Sequence, residues 1–268
     1  MIKEKYGNEF DLEDKMNAIS RRQQIMKTLE AERTVSINNL SEEFSVSTMT
    51  IRRDLAKLSE EGLITVSYGE AFINDGAMFE YNTLLKQNEK KEEKIRIAKK
   101  CLEFINEGES IYLDGGTTVK EIANLLYKKK NIMVVTNSLL AANSIANFKN
   151  IKSIMLPGEF RETSMSYMGP LTNDYVKQFK IDTLFLAVEG IDVENGISVP
   201  DIADGSLKKA LVNQVKNVIC VADSSKFNRS FFYNVAPLEA INMFITDNGI
   251  DAETLDRFQQ KNVSIITV

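Results

Sequence analysis

The chain has 268 residues, more than one domain commonly holds, so we expect two domains of unequal size. It has no histidine and two distant cysteines, Cys101 and Cys220, which excludes histidine-dependent nucleophilic pairs, histidine metal ligands and a cysteine metal motif. A net charge of −5 and the absence of a long apolar run suggest neither a basic nucleic-acid binder nor a membrane protein, and we expect a cytoplasmic protein without metal or cofactor.

Residues 1–18 are polar and show no clear pattern, so we interpret them as a mobile or weakly helical arm. From residue 19 to residue 75, helix periodicity gives way to short alternating strands. The predicted elements are a helix capped by Ser20, a helix over Ile37–Phe44 capped by Ser36, a helix from Ser47 to Gly62, and strands over Leu63–Val66 and Ala71–Ile73. Three helices followed by a hairpin predict a winged helix-turn-helix, whose third helix enters the major groove of DNA.

Residues 76–109 form a predicted linker region, because the charged stretch Lys86–Lys100 favours a solvated helix. Over residues 110–268, short apolar runs alternate with helix-like segments. The runs are Ile111–Leu113, Ile132–Val135, Ile154–Leu156, Leu184–Val188, Val218–Val221, Met243–Ile245 and Val263–Ile266. This alternation predicts a mostly parallel, Rossmann-like sheet covered on both faces. The fold class is therefore α/β, preceded by a small winged helix-turn-helix domain.

The third predicted helix carries side chains suited to DNA. Ser47, Thr48 and Thr50 lie in its first turn, where hydroxyls and free backbone N–H groups can meet phosphates or base edges. Arg52 and Arg53 follow and offer the planar fork that binds guanine or phosphate. Residues 20–73 contain seven basic and eight acidic side chains, so this interpretation depends on placement rather than net charge. A protein-interaction module remains the alternative.

Three runs carry a family resemblance: Arg22–Ile25, Val46–Leu55 and Glu61–Ile64. They closely resemble the DeoR family of bacterial repressors, and the resemblance extends to the end of the chain. It implies promoter DNA as a partner and adds Arg22 and Tyr68 to the candidate DNA contacts. The family's wing usually carries His-Gly-Gly-Ala, where this chain has Tyr-Gly-Glu-Ala at 68–71. The wing is therefore expected either to contact DNA weakly or to present Tyr68.

The first strand of the larger domain ends in Asp114-Gly115-Gly116-Thr117-Thr118 and opens a helix. Glycines let a ligand approach the backbone, and a helix N-terminus attracts anions, although any strand-to-helix turn can use such a pair. By resemblance, the sensor domain of this family is similar to ribose-5-phosphate isomerase and binds phosphorylated sugars or related metabolites. The resemblance implies a phosphate cradle, two cations and carboxylates that meet ligand hydroxyls or orient a lysine. These residues are Gly115, Gly116, Thr117 and Thr118; Lys226 and Lys208; and Asp114, Glu189 and Asp223.

Some positions depart from the family pattern. Pro157 and Ala187 stand where glycine is common, Glu189 where aspartate is common, and Asp204 where glutamate is usual. Each change reshapes the pocket, so we expect either an unusual effector or a pocket that no longer binds one.

Residual isomerase activity is the enzymatic alternative. The acid-base turn of those isomerases has Leu186 in place of its first carboxylate here, and residues 196–200 replace their Lys-Gly-Gly-Gly loop. Proton transfer requires a positioned acid or base, so we expect no catalytic residues. We expect instead a homodimeric or homotetrameric repressor of a sugar or carbohydrate operon, controlled by a phosphorylated sugar.

Overall fold

A computed structural model describes residues 7–60, 62–74, 80 and 82–268, with the backbone alone for 7–17 and 85. The chain divides into two compact units, residues 1–79 and 80–268, and each is considered by itself. None of the helices in the described part of the chain is both long and apolar enough to cross a bilayer.

The N-terminal unit contains three helices and a small antiparallel sheet. Its elements are α1 (Gly7–Glu32), β1 (Thr34–Ser36), α2 (Ile37–Glu43), α3 (Thr48–Glu60), β2 (Ile64–Ser67) and β3 (Glu70–Ile73). The sheet order is β1-β3-β2. Buried residues at helical spacing, such as Ile25 and Leu29 in α1 and Ile51, Leu55 and Leu58 in α3, form the core. The predicted three-helix and hairpin pattern is therefore present, together with a strand, β1, that the sequence did not indicate.

The first helix differs from its prediction. It begins at Gly7, so Ser20 lies inside the helix and does not cap it, and residues 7–18 of the arm predicted to be mobile or weakly helical are part of this helix. The polar stretch has no apolar stripe to reveal a helix, but its Leu, Glu, Lys, Met and Ala residues favour helix formation intrinsically. Residues 1–6 of the predicted arm lie outside the described residues. Ser36, by contrast, caps α2 as predicted, since its hydroxyl accepts the Asn39 N–H.

The C-terminal unit is an α/β domain. Its helices are α4 (Thr83–Lys86), α5 (Lys91–Cys101), α6 (Thr117–Leu125), α7 (Leu139–Ile145), α8 (Pro170–Val176), α9 (Ile202–Gln214) and α10 (Ala252–Gln260). Its strands are β4 (Ser110–Leu113), β5 (Ile132–Thr136), β6 (Ile151–Met155), β7 (Glu159–Arg161), β8 (Ser166–Met168), β9 (Thr183–Leu186), β10 (Gly190–Asp192), β11 (Gly196–Val199), β12 (Asn217–Val221), β13 (Tyr233–Ala236), β14 (Met243–Thr246) and β15 (Ile265–Thr267).

The seven predicted apolar runs all contribute to one seven-stranded parallel sheet of order β15-β14-β12-β9-β4-β5-β6. Alternate residues of a strand face opposite sides, and β4 shows this directly: Tyr112 packs into one hydrophobic cluster and Ile111 and Leu113 into the other. The predicted α/β class is confirmed. The short antiparallel sheet β10-β11-β13 and the hairpin β7-β8 were not predicted, because their strands are only three or four residues long.

The charged segment that was expected to form a solvated helix is instead part of the C-terminal unit. Ile97, Ala98 and Cys101 of α5 are buried in the same cluster as the inner residues of α6, and even Lys94 is buried. The helix is amphipathic, and the many charges on its outer face make the apolar residues of its inner face hard to recognise in the sequence. The solvated-helix prediction is therefore wrong for α5.

The strand order reverses between β4 and β9. From β4 the sheet continues through β5 and β6 in one direction, whereas β9, β12, β14 and β15 extend in the other. In open α/β sheets, such a switch point leaves a crevice at the carboxyl ends of the strands, where ligands bind. The segments that follow β4 and β9 therefore define the edge at which a site is expected.

Candidate functional site

Helix α3 presents a polar, positively charged face. Ser47 caps it by accepting the Thr50 N–H at 3.1 Å, and the Ser47 and Thr50 hydroxyls lie 3.0 Å apart. Thr48, Arg52 and Arg53 are exposed along the helix, as a DNA-contacting surface requires. Met49, which the sequence reasoning did not select, is 66% exposed between them. An exposed large apolar side chain in the first turn is suited to contact with a thymine methyl group.

Arg22 has a partner inside its own unit. Arg22 Nη1 lies 3.3 Å from Asp54 Oδ1, and Arg21 Nε lies 2.5 Å from Asp54 Oδ2. Asp54 is buried on the inner side of α3, so the two arginines fix α1 against the helix that carries Arg52 and Arg53. Arg22 therefore holds the unit together through Asp54.

The wing tip exposes an aromatic ring. Tyr68 is fully exposed, and it and Gly69 have φ values of 50° and 84° between β2 and β3. Positive φ at both central residues defines a type I′ hairpin turn. The turn therefore holds the tyrosine outward, while Glu70 is exposed at the start of β3.

The C-terminal unit has a small, partly open pocket at the switch point between β4 and β9. Gly115 and Gly116 line it after β4, and 187–189 line it after β9. A Cβ atom at Gly116 would lie 2.8 Å from Ala187 Cβ, so this wall of the pocket has no room for a side chain at position 116. The pocket is present despite the non-glycine residues Pro157 and Ala187.

One buried ion cluster forms the floor of this pocket. Lys208 Nζ lies 2.5 Å from Asp114 Oδ2 and 3.1 Å from Asp204 Oδ1. Burial is the main effect that raises the pKa of Asp204 to about 7. The positive charge of Lys208 opposes this shift, and the nearby negative charge of Asp114 adds to it. Asp114 Oδ2 also accepts the Ala187 N–H, whereas Asp114 Oδ1 has no hydrogen-bond partner among the described residues.

A second ion cluster contains two lysines and one carboxylate. Glu189 Oε1 is 2.7 Å from Lys86 Nζ, and Glu189 Oε2 is 2.9 Å from Lys226 Nζ. Burial alone would raise the pKa of Glu189, but the two ammonium charges outweigh burial and hold the pKa far below its usual range. Burial lowers the pKa of Lys86, while the same carboxylate raises that of Lys226 against the effect of burial.

A third ion cluster adds an arginine. Arg161 at the end of β7 contacts the carboxylate of Glu80 through Nη1 and lies 3.4 Å from Asp201 through Nη2. Glu80 also lines the pocket, and Asp201 caps α9, the helix that carries Lys208. Burial raises the pKa of Glu80 although the guanidinium opposes that shift.

The structure thus separates the nine expected effector residues into groups. The residues that line the pocket are Gly115, Gly116, Glu189 and Lys208. Asp114 and Lys226 do not line it, but each forms an ion pair with a lining residue, Asp114 with Lys208 and Lys226 with Glu189. Thr117 and Thr118 are buried in the first turn of α6, outside the pocket lining. Asp223 is also outside the lining; its carboxylate accepts from the Ser225 N–H and hydroxyl, and its carbonyl accepts the Lys226 N–H.

Sequence reasoning missed several pocket residues. Glu80 and Thr83 come from the predicted linker, and Ser164 and Ser166 from the turn and strand of the β7-β8 hairpin. Hydroxyl-rich residues between the third apolar run and the following helix were a usable signal for the two serines. Glu80 gave no such signal, because its role depends on an arginine 81 positions further along the chain.

Comparison with known families decides the identity of both units. Residues 21–76 match the model of a DeoR-like helix-turn-helix domain, and residues 89–248 match the DeoR C terminal sensor domain. The chain belongs to the DeoR family. The resemblance of the N-terminal sequence runs to this family is therefore confirmed, and the protein is a transcription regulator.

Relatives of the DeoR-family protein match along most of their length. The glycerol-3-phosphate regulon repressor of Escherichia coli K12 is 32% identical, over 87% of this chain and 92% of the relative. The HTH-type transcriptional regulator IolR of Bacillus subtilis is 30% identical over 87% and 92%. The transcriptional repressor AccR of Agrobacterium fabrum is 31% identical over 85% and 89%. These relatives are transcription regulators, not enzymes.

Among solved structures, ribose 5-phosphate isomerase A from Neisseria gonorrhoeae covers 51% of this chain and 53% of its own, with 19% identity and a TM-score of 0.38. That similarity is too low to support an inference about chemistry. Leu186, which the sequence analysis set against the first isomerase carboxylate, is fully buried in the core of the sheet. The matched family and the relatives named above are those of transcription regulators, in agreement with the expectation from the sequence.

Proposed function

We propose that this DeoR-family protein represses a carbohydrate operon and releases its promoter when a phosphorylated sugar or polyol binds the switch-point pocket. The pocket at the β4-β9 reversal is the observation that carries the proposal. Its lining includes Gly115 and Gly116, which have no side chain between the backbone and a ligand, and three ion clusters surround it. Such an environment suits a small, polar, charged ligand.

On the DNA side, the proposal assigns contacts to α3 and the wing. Arg52 and Arg53 supply bidentate donors, the first turn of α3 supplies hydroxyls and N–H groups, and Tyr68 reaches the backbone from the wing. Arg22 acts through its ion pair with Asp54. The proposed set is Arg22, Ser47, Thr48, Thr50, Arg52, Arg53 and Tyr68.

On the ligand side, the proposal gives the phosphate to the N-terminus of α6 and the hydroxyls to the carboxylates of the pocket. Asp114 Oδ1, buried and without a partner among the described residues, is an acceptor that a ligand hydroxyl can satisfy. The Escherichia coli relative is a glycerol-3-phosphate regulon repressor, which supports a phosphorylated polyol as one ligand class. The proposed set is Asp114, Gly115, Gly116, Thr117, Thr118, Glu189, Lys208, Asp223 and Lys226.

Assembly into a homodimer or homotetramer completes the proposal. Helix-turn-helix regulators read paired half-sites with two-fold symmetry, so two recognition helices act together. A ligand that fits one arrangement of the subunits better shifts the population towards it and changes DNA affinity.

A ligand screen on the full chain tests the function. Phosphorylated sugars and polyols, with glycerol 3-phosphate among them, are compared with their dephosphorylated forms by thermal shift and by release of a promoter fragment in fluorescence anisotropy. A true effector raises the melting temperature, with about 2.7 kcal/mol of stabilisation at a hundredfold excess over its Kd, and lowers DNA affinity. Its free sugar does neither.

Matched lysine variants locate the response. Lys208→Gln alters the pocket floor, whereas Lys209→Gln changes its exposed neighbour on α9. The effector response should fall only in the first variant. A phosphorylated ligand that releases DNA equally from both variants would place the effector site elsewhere, and DNA binding insensitive to every compound would refute ligand control of this class.

A further inference from the structure

The cations around the pocket are already neutralised by the protein itself. In the three ion clusters, each cation has a carboxylate partner: Lys208 pairs with Asp114 and Asp204, Lys86 and Lys226 pair with Glu189, and Arg161 pairs with Glu80 and Asp201. An anionic ligand gains a cation in this pocket only by displacing one of these carboxylates. Which carboxylate moves then determines how binding is transmitted.

Glu80 pairs with the most exposed cation of the three ion clusters, because the Arg161 side chain is 31% exposed and the side chains of Lys86, Lys208 and Lys226 are 17% exposed or less. Asp114 directly follows β4 and is completely buried, Asp204 belongs to α9, and Glu189 follows β9. Glu80 lies in no helix or strand and precedes the four-residue helix α4. Its burial also disfavours the charged form, as its raised pKa reflects. An incoming anion therefore reaches Arg161 more readily than it reaches the lysines of the other two clusters.

Glu80 begins a segment that is attached along the pocket. This pocket strap, residues 80 and 82–86, is held at its start by Arg161 and in its middle by the Thr83 N–H, which donates to the Thr163 carbonyl at 2.8 Å. Its end is held by Lys86, 2.7 Å from Glu189. Thr83 and Glu80 both line the pocket, so a ligand there touches the strap directly.

We propose that Arg161 is an anion-binding residue of the sensor and that Glu80 occupies it as an internal competitor until the acidic group of a ligand replaces it. This inference rests on the proposed ligand site and adds both a binding residue and a route for regulation. Gly116, at the N-terminus of α6, and Glu80 line the same pocket, so a ligand phosphate held at Gly116, or a ligand carboxylate in its place, also takes the guanidinium, and Glu80 is released to solvent. Because the chain N-terminal to Glu80 leads to the DNA-binding unit, release of the strap alters the connection between sensing and DNA binding.

A double-mutant cycle with inorganic phosphate tests the competition on the full chain. Calorimetry measures phosphate binding to wild type, Glu80→Gln, Arg161→Gln and the double variant. Removal of the competitor raises the competent fraction, so Glu80→Gln should bind phosphate about tenfold more tightly than wild type. The double variant should gain nothing over Arg161→Gln, because the advantage of removing Glu80 requires the arginine.

Two further variants exclude simpler explanations. Glu159→Gln removes an exposed carboxylate from the same strand as Arg161 and should leave phosphate affinity within about twofold of wild type. Arg161→Lys keeps the charge if Arg161→Gln unfolds, and should retain part of the gain from Glu80→Gln. Acetate replaces phosphate in a second series, which distinguishes a carboxylate ligand from a phosphate ligand.

Hydrogen exchange gives a readout of the strap that does not depend on DNA. Phosphate should speed exchange of the Thr83 and Leu84 amides in wild type, while Glu80→Gln should exchange fast without phosphate. The proposal is overturned if Glu80→Gln binds phosphate no better than wild type, if its gain survives without Arg161, or if no variant binds phosphate. Release of DNA by a phosphorylated effector in wild type would still support the proposed function in any of these cases.

Discussion

The winged helix-turn-helix unit and the sensor pocket carry their charges in opposite ways. On α3, Arg52 and Arg53 extend into solvent, while buried Asp54 on the inner face pairs with two arginines of α1. In the pocket, the cations of the three ion clusters are held by carboxylates and are largely buried. A polyanion such as DNA meets ready donors, whereas a small anion must compete with the protein. Under the proposed function, the first unit supplies affinity for DNA and the second supplies a change of state on ligand binding.

The largest expected effect lies in the pocket floor. Lys208→Met leaves Asp114 buried without its cation, which should lower the free energy of unfolding by about 3–5 kcal/mol. Urea denaturation of the full chain measures the loss. Lys209→Met, at the exposed neighbouring position, should be nearly neutral. Equal stability of the two variants would mean that the buried cluster contributes nothing to folding.

The next effect breaks the DNA side of the comparison. Arg52→Gln with Arg53→Gln should weaken promoter binding by about 100-fold or more, since each contact contributes about 1–3 kcal/mol, without lowering thermal stability. The slope of log affinity against log salt concentration should become less steep, by the amount expected for the loss of about two phosphate contacts. Lys57→Gln, further along the exposed face of α3, is the matched control. Unchanged affinity in the double variant would favour the protein-interaction alternative.

A pH effect distinguishes the pocket from the DNA-binding unit. Burial raises the pKa of Asp204 from its ordinary value of 3.8 to about 7, so the folded state holds a proton that the unfolded state releases. The stability contributed by that proton is present below the ordinary pKa and is lost as pH rises towards 7. Asp204→Asn should remove this fall between pH 4 and pH 7, as urea midpoints across that range would reveal. A wild-type slope retained in the variant assigns the titration to another group.

The smallest effect sharpens the role of the wing. Tyr68→Asn preserves the type I′ turn, since Asn-Gly is well suited to positive φ at both positions, and removes only the exposed ring. DNA affinity should fall about two- to fivefold, which corresponds to about 0.5–1 kcal/mol, while the melting temperature stays the same or rises. An unchanged affinity would show that the wing tip does not touch DNA.

Local patterns predicted the parts of the fold that depend on neighbouring residues. Periodicity placed α2 and α3, the hydroxyls of Ser36 and Ser47 marked their caps, and seven apolar runs became the seven strands of the parallel sheet. The same reasoning failed for the start of α1, where a polar helix leaves no apolar stripe, and for α5, whose outer charges masked a buried face.

The pocket was predicted only in its local part. Gly115 and Gly116 were identifiable because a glycine pair between a strand and a helix has a direct conformational reason. Glu80 and Arg161 were not, because an ion pair between distant residues leaves no periodic or spacing signal. The placement of Thr117, Thr118 and Asp223 away from the lining likewise depends on how α6 and the segment after β12 turn.

The sequence by itself determined the family, the two-unit organisation and the exposed face of α3, because these follow from local periodicity and specific short runs. Tertiary structure alone decided which charges meet. The reversal of strand order brings the ends of β4 and β9 together, and the hairpin β7-β8 places Arg161 against a residue from the start of the unit. Electrostatic energy depends on distance in space, so only the folded chain could assign the lysines and Arg161 to their carboxylates.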